Sequence, residues 1–151
     1  MRTEPIYPPT RQAHYPHLSA LDSQLWDNYL ALGDHGYLSV QYDVPVGEPI
    51  DASLLTLPKN LYMEARLSAH RIDIVATAKD HIDIIECKPR AGTTALGQLI
   101  IYSQLYQSSY NPTLPLRLLL ITNQIDHDIH TIYAAQNIKV VEVPFNDPRN
   151  I

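Results

Sequence analysis

Two acidic residues and a lysine interrupt apolar segments of this chain in a pattern suited to binding a cation. Asp73 lies inside the segment RIDIV, and Glu86 and Lys88 close the segment IDIIECK. Side chains two residues apart lie on one face of a strand. We therefore expect the Glu86 carboxylate and the Lys88 ammonium to lie side by side.

The register of a predicted hairpin decides whether the two acids meet. Residues 71–77 and 81–88 are rich in β-branched side chains, which favours two strands joined by a tight turn. If Lys79 and Asp80 are the central turn residues, the two acids lie directly opposite each other, with Cβ atoms about 4.5–5.5 Å apart. A Lys-Asp pair is not a favoured two-residue turn, so a register slipped by one residue is the alternative.

Two carboxylates at that separation repel each other unless a cation lies between them. Mg²⁺ takes oxygen ligands and is the usual cation at phosphates, and the Cys87 backbone carbonyl could add a further oxygen. Lys88 could then stabilise charge on a phosphate or orient an attacking water molecule. The alternative is that these residues form an ordinary exposed charged face.

A predicted helix over residues 93–107 follows Lys88 and presents two further polar side chains. Gln98 and Tyr102 are four residues apart, so they are neighbours on the helix surface. Together they could hold a phosphate or orient a catalytic carboxylate. The alternative is that they are polar tips on a packed helix.

The first predicted helix, residues 19–32, places an acid on its apolar side. On a helical wheel of about 100° per residue, Asp22 falls near the middle of the arc formed by Leu21, Leu25, Trp26 and other apolar residues. A buried acid needs a partner, which a metal or the cationic site could supply. The alternative is a capping box in which Asp22 caps the helix together with Ser19.

The order of predicted elements indicates an α/β fold with a mixed β-sheet flanked by helices. The early strands are consecutive and should pair antiparallel, whereas the later ones alternate with helices and should be parallel. The remaining segments are predicted strands over residues 37–46, 61–67, 116–122 and 138–143 and a helix over residues 126–136.

Residues 1–18 form a predicted extended arm that precedes a domain over residues 19–151. The arm is rich in Pro and Tyr, and either the domain itself or a partner chain could hold it. The helix over residues 94–107 is apolar nearly all round, which suggests a second contact, through a homo-oligomer or another protein.

Composition excludes several classes of protein. The net charge of −5 argues against a general basic coat, although six of the eleven basic residues lie between Lys59 and Arg90. No apolar run has the length of a membrane span, and we expect no membrane partner. A single cysteine rules out an intrachain disulfide framework and fits a cytoplasmic location, in a host cell or a virion if the protein is viral.

These residues resemble the PD-(D/E)XK nuclease superfamily. The segment RIDIVATAKDHIDIIECKP carries its D…ExK pattern at Asp73, Glu86 and Lys88, and TTALGQLIIYSQLY resembles the Q-x-x-x-Y helix of RecB-type nucleases at Gln98 and Tyr102. The likeness spans residues 19–143 and extends to the restriction-endonuclease-like αβββαβ core. One departure is Ile72, where the pattern's name has Pro. Among small stand-alone members, the chain resembles phage head-completion nucleases and XisH-like proteins.

The resemblance implies a DNA nuclease that hydrolyses phosphodiester bonds with Mg²⁺ or Mn²⁺. Asp73 and Glu86 would bind the metal with the Cys87 carbonyl and Asp22, and Lys88, Gln98 and Tyr102 would assist catalysis. DNA phosphates would be met by Arg66, Arg71 and Arg90. Phage head completion, DNA packaging and DNA processing are the expected settings. The rivals are a structural head or neck protein that retains the nuclease fold, and a restriction or transposition endonuclease within a complex.

Overall fold

The structure, a computed structural model, describes residues 4–47 and 70–145. Within these ranges the elements are α1 (Ala20–Ala31), β1 (Tyr37–Val46), β2 (His70–Ala78), β3 (Ile82–Cys87), α2 (Thr94–Tyr110), β4 (Leu116–Thr122), α3 (His127–Ala135) and β5 (Ile138–Glu142). Each predicted element in this part of the chain is confirmed, with ends that shift by at most three residues. The strand predicted over residues 61–67 lies outside the described residues.

The five strands form one sheet in the order β1-β2-β3-β4-β5. The first three are antiparallel neighbours, and β3, β4 and β5 are parallel neighbours. This is the mixed sheet flanked by helices that the order of elements predicts. Parallel neighbours need a crossover, and here α2 and α3 provide the two crossovers.

The hairpin has the register that a Lys79-Asp80 turn predicts. Ile74 pairs with Ile85 and Thr77 with Ile82, while the Ala78 N–H donates to the His81 carbonyl at 2.9 Å. The alternative slipped register is therefore wrong. The paired residues end at Ile74 and Ile85, one position before the two acids.

Hydrophobic side chains cover both faces of the sheet, and every residue of β3 is buried. One core cluster joins Trp26 and Leu25 of α1 to Ile85 and Cys87, and the other joins Leu99 of α2 to the opposite face. Because β3 lies in the middle of the sheet, burying a polar side chain on it requires a specific partner.

The buried face of α1 is narrower than the sequence predicts. Leu21 is 49% exposed, although it was expected to lie on the apolar arc. The buried residues of α1 are Leu25, Trp26, Tyr29 and Leu30, and the wheel places Asp22 at the centre of that set. Leu21 lies about 100° from Asp22 on the wheel, outside the buried set, which agrees with its exposure.

The N-terminal arm is held by its own domain, which was one of the two alternatives. Tyr7 and Val40 of β1 exchange two backbone hydrogen bonds of 2.8 and 2.9 Å, so the arm covers part of the free edge of β1. Tyr15 is only 2% exposed, its ring packs on Tyr42, and its hydroxyl donates to Asp27. The domain boundary at residue 18 stays a prediction.

Helix α2 buries one side against the sheet through Ala95, Leu99 and Tyr106. Ile101 on another side is 55% exposed. A contact between α2 and a second chain therefore stays a prediction. Within the described ranges, no helix has both the length and the apolar character needed to cross a membrane.

We expect Tyr15→Phe to lower the free energy of unfolding by about 1–2 kcal/mol, because it removes a hydrogen bond to a carboxylate in a part-buried site. Urea denaturation measures the change. The control is Tyr7→Phe, since the Tyr7 ring also packs on Tyr42 but no hydrogen bond of its hydroxyl occurs among the described residues. Equal losses in the two variants would contradict this anchoring role.

Candidate functional site

The two acids lie close together at the end of the β2–β3 pairing. The register that joins Ile74 to Ile85 continues to Asp73 and Glu86, and the Glu86 side chain interacts directly with that of Asp73. Glu86 is only 6% exposed. The sequence predicts this juxtaposition, because the hairpin turn sets which residues face each other.

Both carboxyl groups hold their protons more tightly than ordinary carboxyls. Burial raises the pKa of Glu86, and the negative charge of Asp73 and a hydrogen bond to it raise that pKa further. Burial also raises the pKa of Asp73, although a hydrogen bond from Glu86 lowers it. The pair is thus suited to sharing one proton, or to sharing a cation in its place.

Lys88 is an exposed residue two positions after Glu86, and its backbone is hydrogen-bonded to β4. Its N–H donates to the Ile121 carbonyl at 2.9 Å, which extends the pairing with β4. The next residues are also tied to the segment after β4, since the Arg90 N–H donates to Asn123 Oδ1 at 2.8 Å. The exposed Lys88 side chain thus extends from a backbone that is paired with β4.

Asp22 has the capping role, which is one of the two that the sequence left as alternatives. The Ser19 hydroxyl accepts a hydrogen bond from the Asp22 N–H at 3.1 Å, as in a capping box. Burial raises the pKa of Asp22, whereas hydrogen bonds to Ser19 and the positive charge of Lys88 lower it. The charge of Asp22 in turn raises the pKa of both Asp73 and Glu86. It is a capping residue within electrostatic range of the acid pair.

Gln98 and Tyr102 of α2 face the same region. Burial raises the pKa of Tyr102, as does the charge of Glu86, while a hydrogen bond from Gln98 lowers it. The predicted neighbour relation between Gln98 and Tyr102 thus holds, and the Tyr102 hydroxyl lies in the field of the acid pair. A catalytic role for either residue stays a prediction.

The two neighbouring carboxylates are of a type that Mg²⁺ binds together with water and substrate, and a metal at this site stays a prediction. Among the residues that the structure describes, no group of three or more His, Cys, Asp or Glu side chains is arranged to hold a metal. Mg²⁺ is commonly bound by one or two carboxylates and substrate phosphates, and it retains several waters. Asp73 and Glu86 supply two such carboxylates, and Asp22 does not complete a cluster of three with them.

The backbone of Cys87 is directed toward the site. The Lys88 N–H donates to Ile121 of β4, and the Ile82 N–H donates to Pro115 just before β4. By alternation the backbone groups of Cys87 face β2, where the paired residues have already ended. Its side chain is 2% exposed, and burial raises the pKa of the thiol. Cys87 can thus offer a carbonyl oxygen, while its sulfur belongs to the core.

Sequence reasoning missed Asp43. The pairs Tyr42–Ile74 and Val44–Ile72 place Asp43 opposite Asp73, and its charge raises the pKa of Asp73. Its backbone is left-handed, with φ of 53°. An acid between Tyr42 and Val44 was a signal, but a connection as long as residues 47–69 does not let the sequence predict the register of the two strands.

Arg71, one of the predicted DNA contacts, is engaged within the domain. Its Nη1 donates to the Asp43 carboxylate at 2.8 Å and to the Asp43 carbonyl at 3.0 Å, and its side chain is 17% exposed. Arg90 is exposed beside the site, and Arg66 lies outside the described residues. Contacts of these arginines with DNA stay predictions.

No family model matches the chain, and no curated protein matches its sequence. One solved structure is similar in fold, a repair endonuclease from Pyrococcus abyssi, with a TM-score of 0.52 and 14% sequence identity. The match covers 88% of this chain and 50% of that chain, so this chain spans half the length of the endonuclease. The sheet and its helices therefore share the fold of part of that protein.

Proposed function

We propose that this chain is a metal-dependent nuclease of the PD-(D/E)XK type that hydrolyses phosphodiester bonds in DNA. The observation that carries the proposal is the adjacent acid pair of Asp73, which is half-buried, and Glu86, which is buried, with Lys88 two residues beyond the second acid. Two acids placed against each other away from water are unfavourable for stability. A cation bound between the two carboxylates would offset that cost and would explain why the acids lie together.

Each residue of the site would have its own role in the proposed reaction. Asp73 and Glu86 hold the cation, Mg²⁺ or Mn²⁺, with the Cys87 carbonyl as a further ligand. When bound, the cation supplies Lewis acidity and lowers the pKa of a bound water. Lys88 stabilises negative charge on the scissile phosphate, and Tyr102, held by Gln98, orients the Glu86 carboxylate.

DNA is the proposed substrate because the similar solved structure is described as a repair endonuclease. The rival role, a structural assembly protein, rests on the Pro/Tyr-rich arm, the net charge of −5 and the helix over residues 94–107 that is apolar nearly all round. In this structure the arm binds its own domain through Tyr7 and Tyr15. We therefore propose that the protein acts as an enzyme in DNA processing.

The test is a cleavage assay with Mg²⁺ on linear, nicked, branched and single-stranded DNA. We expect cleavage of at least one substrate, its loss on chelation, and its return when Mg²⁺ or Mn²⁺ is added. Absence of cleavage on all four substrates with either metal would contradict the proposal. The pattern of products also shows whether the protein prefers ends, flaps and branches or cuts at specific sequences.

Lys88→Ala should lower the cleavage rate about 10²–10³-fold while leaving Mg²⁺ affinity within a few-fold, because Lys88 stabilises charge but does not bind the metal. Single-turnover cleavage and calorimetric titration with Mg²⁺ measure the two quantities. Lys79→Ala, an exposed lysine in the hairpin turn, is the matched control. If Lys88→Ala cleaves DNA at the native rate, or if it no longer binds Mg²⁺, the role assigned to Lys88 is excluded.

A further inference from the structure

Three ionisable residues around the acid pair have left-handed backbones. Five non-glycine residues of the described chain have positive φ, and two of them, Asn111 and Asn137, follow α2 and α3, where this conformation is common. The other three are His17, Asp43 and Arg90, with φ of 59°, 53° and 45°. A left-handed backbone is unfavourable for a residue with a Cβ, so it persists only where neighbouring contacts fix it.

Two side chains fix the conformation of Asp43. Arg71 Nη1 donates hydrogen bonds to both the carboxylate and the carbonyl of Asp43, at 2.8 and 3.0 Å. His17 Nε2, at the end of the arm, lies 3.2 Å from the same carboxylate oxygen, and the Asp43 side chain is only 14% exposed. Because one guanidinium bonds to the side chain and the backbone of Asp43 together, it holds that residue in a single conformation.

Strands β1 and β2 change faces at Asp43 and Asp73. Two successive cross-strand pairs lie in different core clusters, Tyr42 with Ile74 in the cluster under α1 and Val44 with Ile72 in the cluster under α2. Residues two apart on a regular strand share one face, so each strand turns over at the residue between. The left-handed backbone of Asp43 permits this crossover, and Asp73 lies opposite Asp43 within it.

Arg71 has a second acid within reach. Asp73 follows two residues later on β2, and its position opposite Asp43 sets the two Cβ atoms about 4.5–5.5 Å apart. The guanidinium nevertheless forms its ion pair with Asp43 and, among the described residues, none with Asp73. Its Nε is buried and has no hydrogen-bond partner in that part of the chain, which is a cost that a purely stabilising ion pair does not explain.

A guanidinium on Asp73 would compete with a divalent cation. Both are positive and both bind carboxylate oxygens, so Asp73 would have to lose its contact with Arg71 before it could bind a metal. The charge of Asp43 has the opposite effect, because it makes the surroundings of Asp73 more negative and raises the pKa of that carboxyl. A cation between the two acids of the site is favoured by the same charge.

We propose that Asp43 is a positioning residue, which holds Arg71 away from Asp73 and so leaves the Asp73 carboxylate free to bind a divalent cation. Asp43 itself does not bind the cation. The identity of the bound group rests on the proposed function, and the proposal deepens that function by assigning to β1 a residue that keeps the metal site open. It also gives Arg71 a role within the domain.

The test is calorimetric titration with Mg²⁺ in the absence of DNA. Asp43→Asn should bind Mg²⁺ about tenfold more weakly than the native chain, because the released Arg71 pairs with Asp73. Asn tolerates a left-handed backbone, so the substitution removes the charge and keeps the conformation. Adding Arg71→Gln to this variant should return the affinity to within a few-fold of the native value. Adding Lys79→Gln instead restores the net charge but leaves Arg71 in place, and this matched control should stay weak.

Native affinity in Asp43→Asn would overturn the proposal, as would a failure of the native chain to bind Mg²⁺. Equal affinities after the addition of Arg71→Gln and of Lys79→Gln would also overturn it, in favour of a structural or a general charge effect. If Asp43→Asn does not fold, Arg71→Gln alone decides. Its Mg²⁺ affinity should be kept or increased, whereas a structural support would give a loss.

The cleavage assay on the native chain reports separately on the proposed function. Cleavage by the native chain together with native Mg²⁺ affinity in Asp43→Asn retains the nuclease and removes the positioning role. Weak binding in Asp43→Asn and its rescue by Arg71→Gln, without cleavage by the native chain, retain the positioning role and remove the nuclease.

Discussion

We expect Glu86→Gln to abolish Mg²⁺-dependent cleavage and at the same time to stabilise the metal-free protein. Loss of a carboxylate ligand should lower the rate by about 10³-fold or more, which corresponds to about 4 kcal/mol of transition-state stabilisation. The amide removes a buried acid whose pKa is raised by burial and by Asp73. At pH 8, in the presence of a chelator, the gain in unfolding free energy should be about 1–3 kcal/mol.

A fall in the cleavage rate together with a rise in the unfolding free energy distinguishes a catalytic role of Glu86 from a structural one. A gain of this size raises the melting temperature by several degrees for a chain of this length. Glu142→Gln, at an exposed position in β5, is the control for loss of a carboxylate and should change neither quantity. A Glu86→Gln protein that loses both activity and stability would identify Glu86 as a structural residue instead.

The sequence predicts the strands and the acid pair because local rules govern both. Tight-turn geometry places Glu86 opposite Asp73, because the register that pairs Ile74 with Ile85 continues to the two acids. The almost wholly apolar stretch of residues 116–122 similarly predicts a strand, and its bounds at Leu116 and Thr122 are confirmed.

The surroundings of the pair depend on packing between distant segments, which the sequence does not specify. Asp43 lies opposite Asp73 through the β1–β2 pairing, and residues 47–69 form too long a connection for the sequence to predict that register. The arm could equally have bound another chain, and only the contacts of Tyr15 with Tyr42 and Asp27 decide between the alternatives. The wheel placed Asp22 on the buried side but could not show that Lys88 lies within electrostatic range.

The stability of the metal-free protein should fall as the pH rises from about 5 through neutrality, and Mg²⁺ should remove this dependence. The pKa values of Asp73 and Glu86 are raised in the folded state, chiefly by burial, so the folded protein keeps a proton that the unfolded chain has released. Stability is then fully present below the ordinary carboxyl pKa and is lost as the pH rises toward the raised values. One retained proton gives a slope of at most about −1.4 kcal/mol per pH unit.

Urea denaturation between pH 5 and pH 9, with chelator or with millimolar Mg²⁺, measures this slope. Mg²⁺ should stabilise the protein more at pH 8 than at pH 5, because at low pH the shared proton competes with the cation for the same two carboxylates. In Glu86→Gln both the slope and the effect of Mg²⁺ should largely disappear. If the slope persists in that variant, the titrating groups lie elsewhere. If Mg²⁺ stabilises the native chain equally at both pH values, the cation binds outside the acid pair.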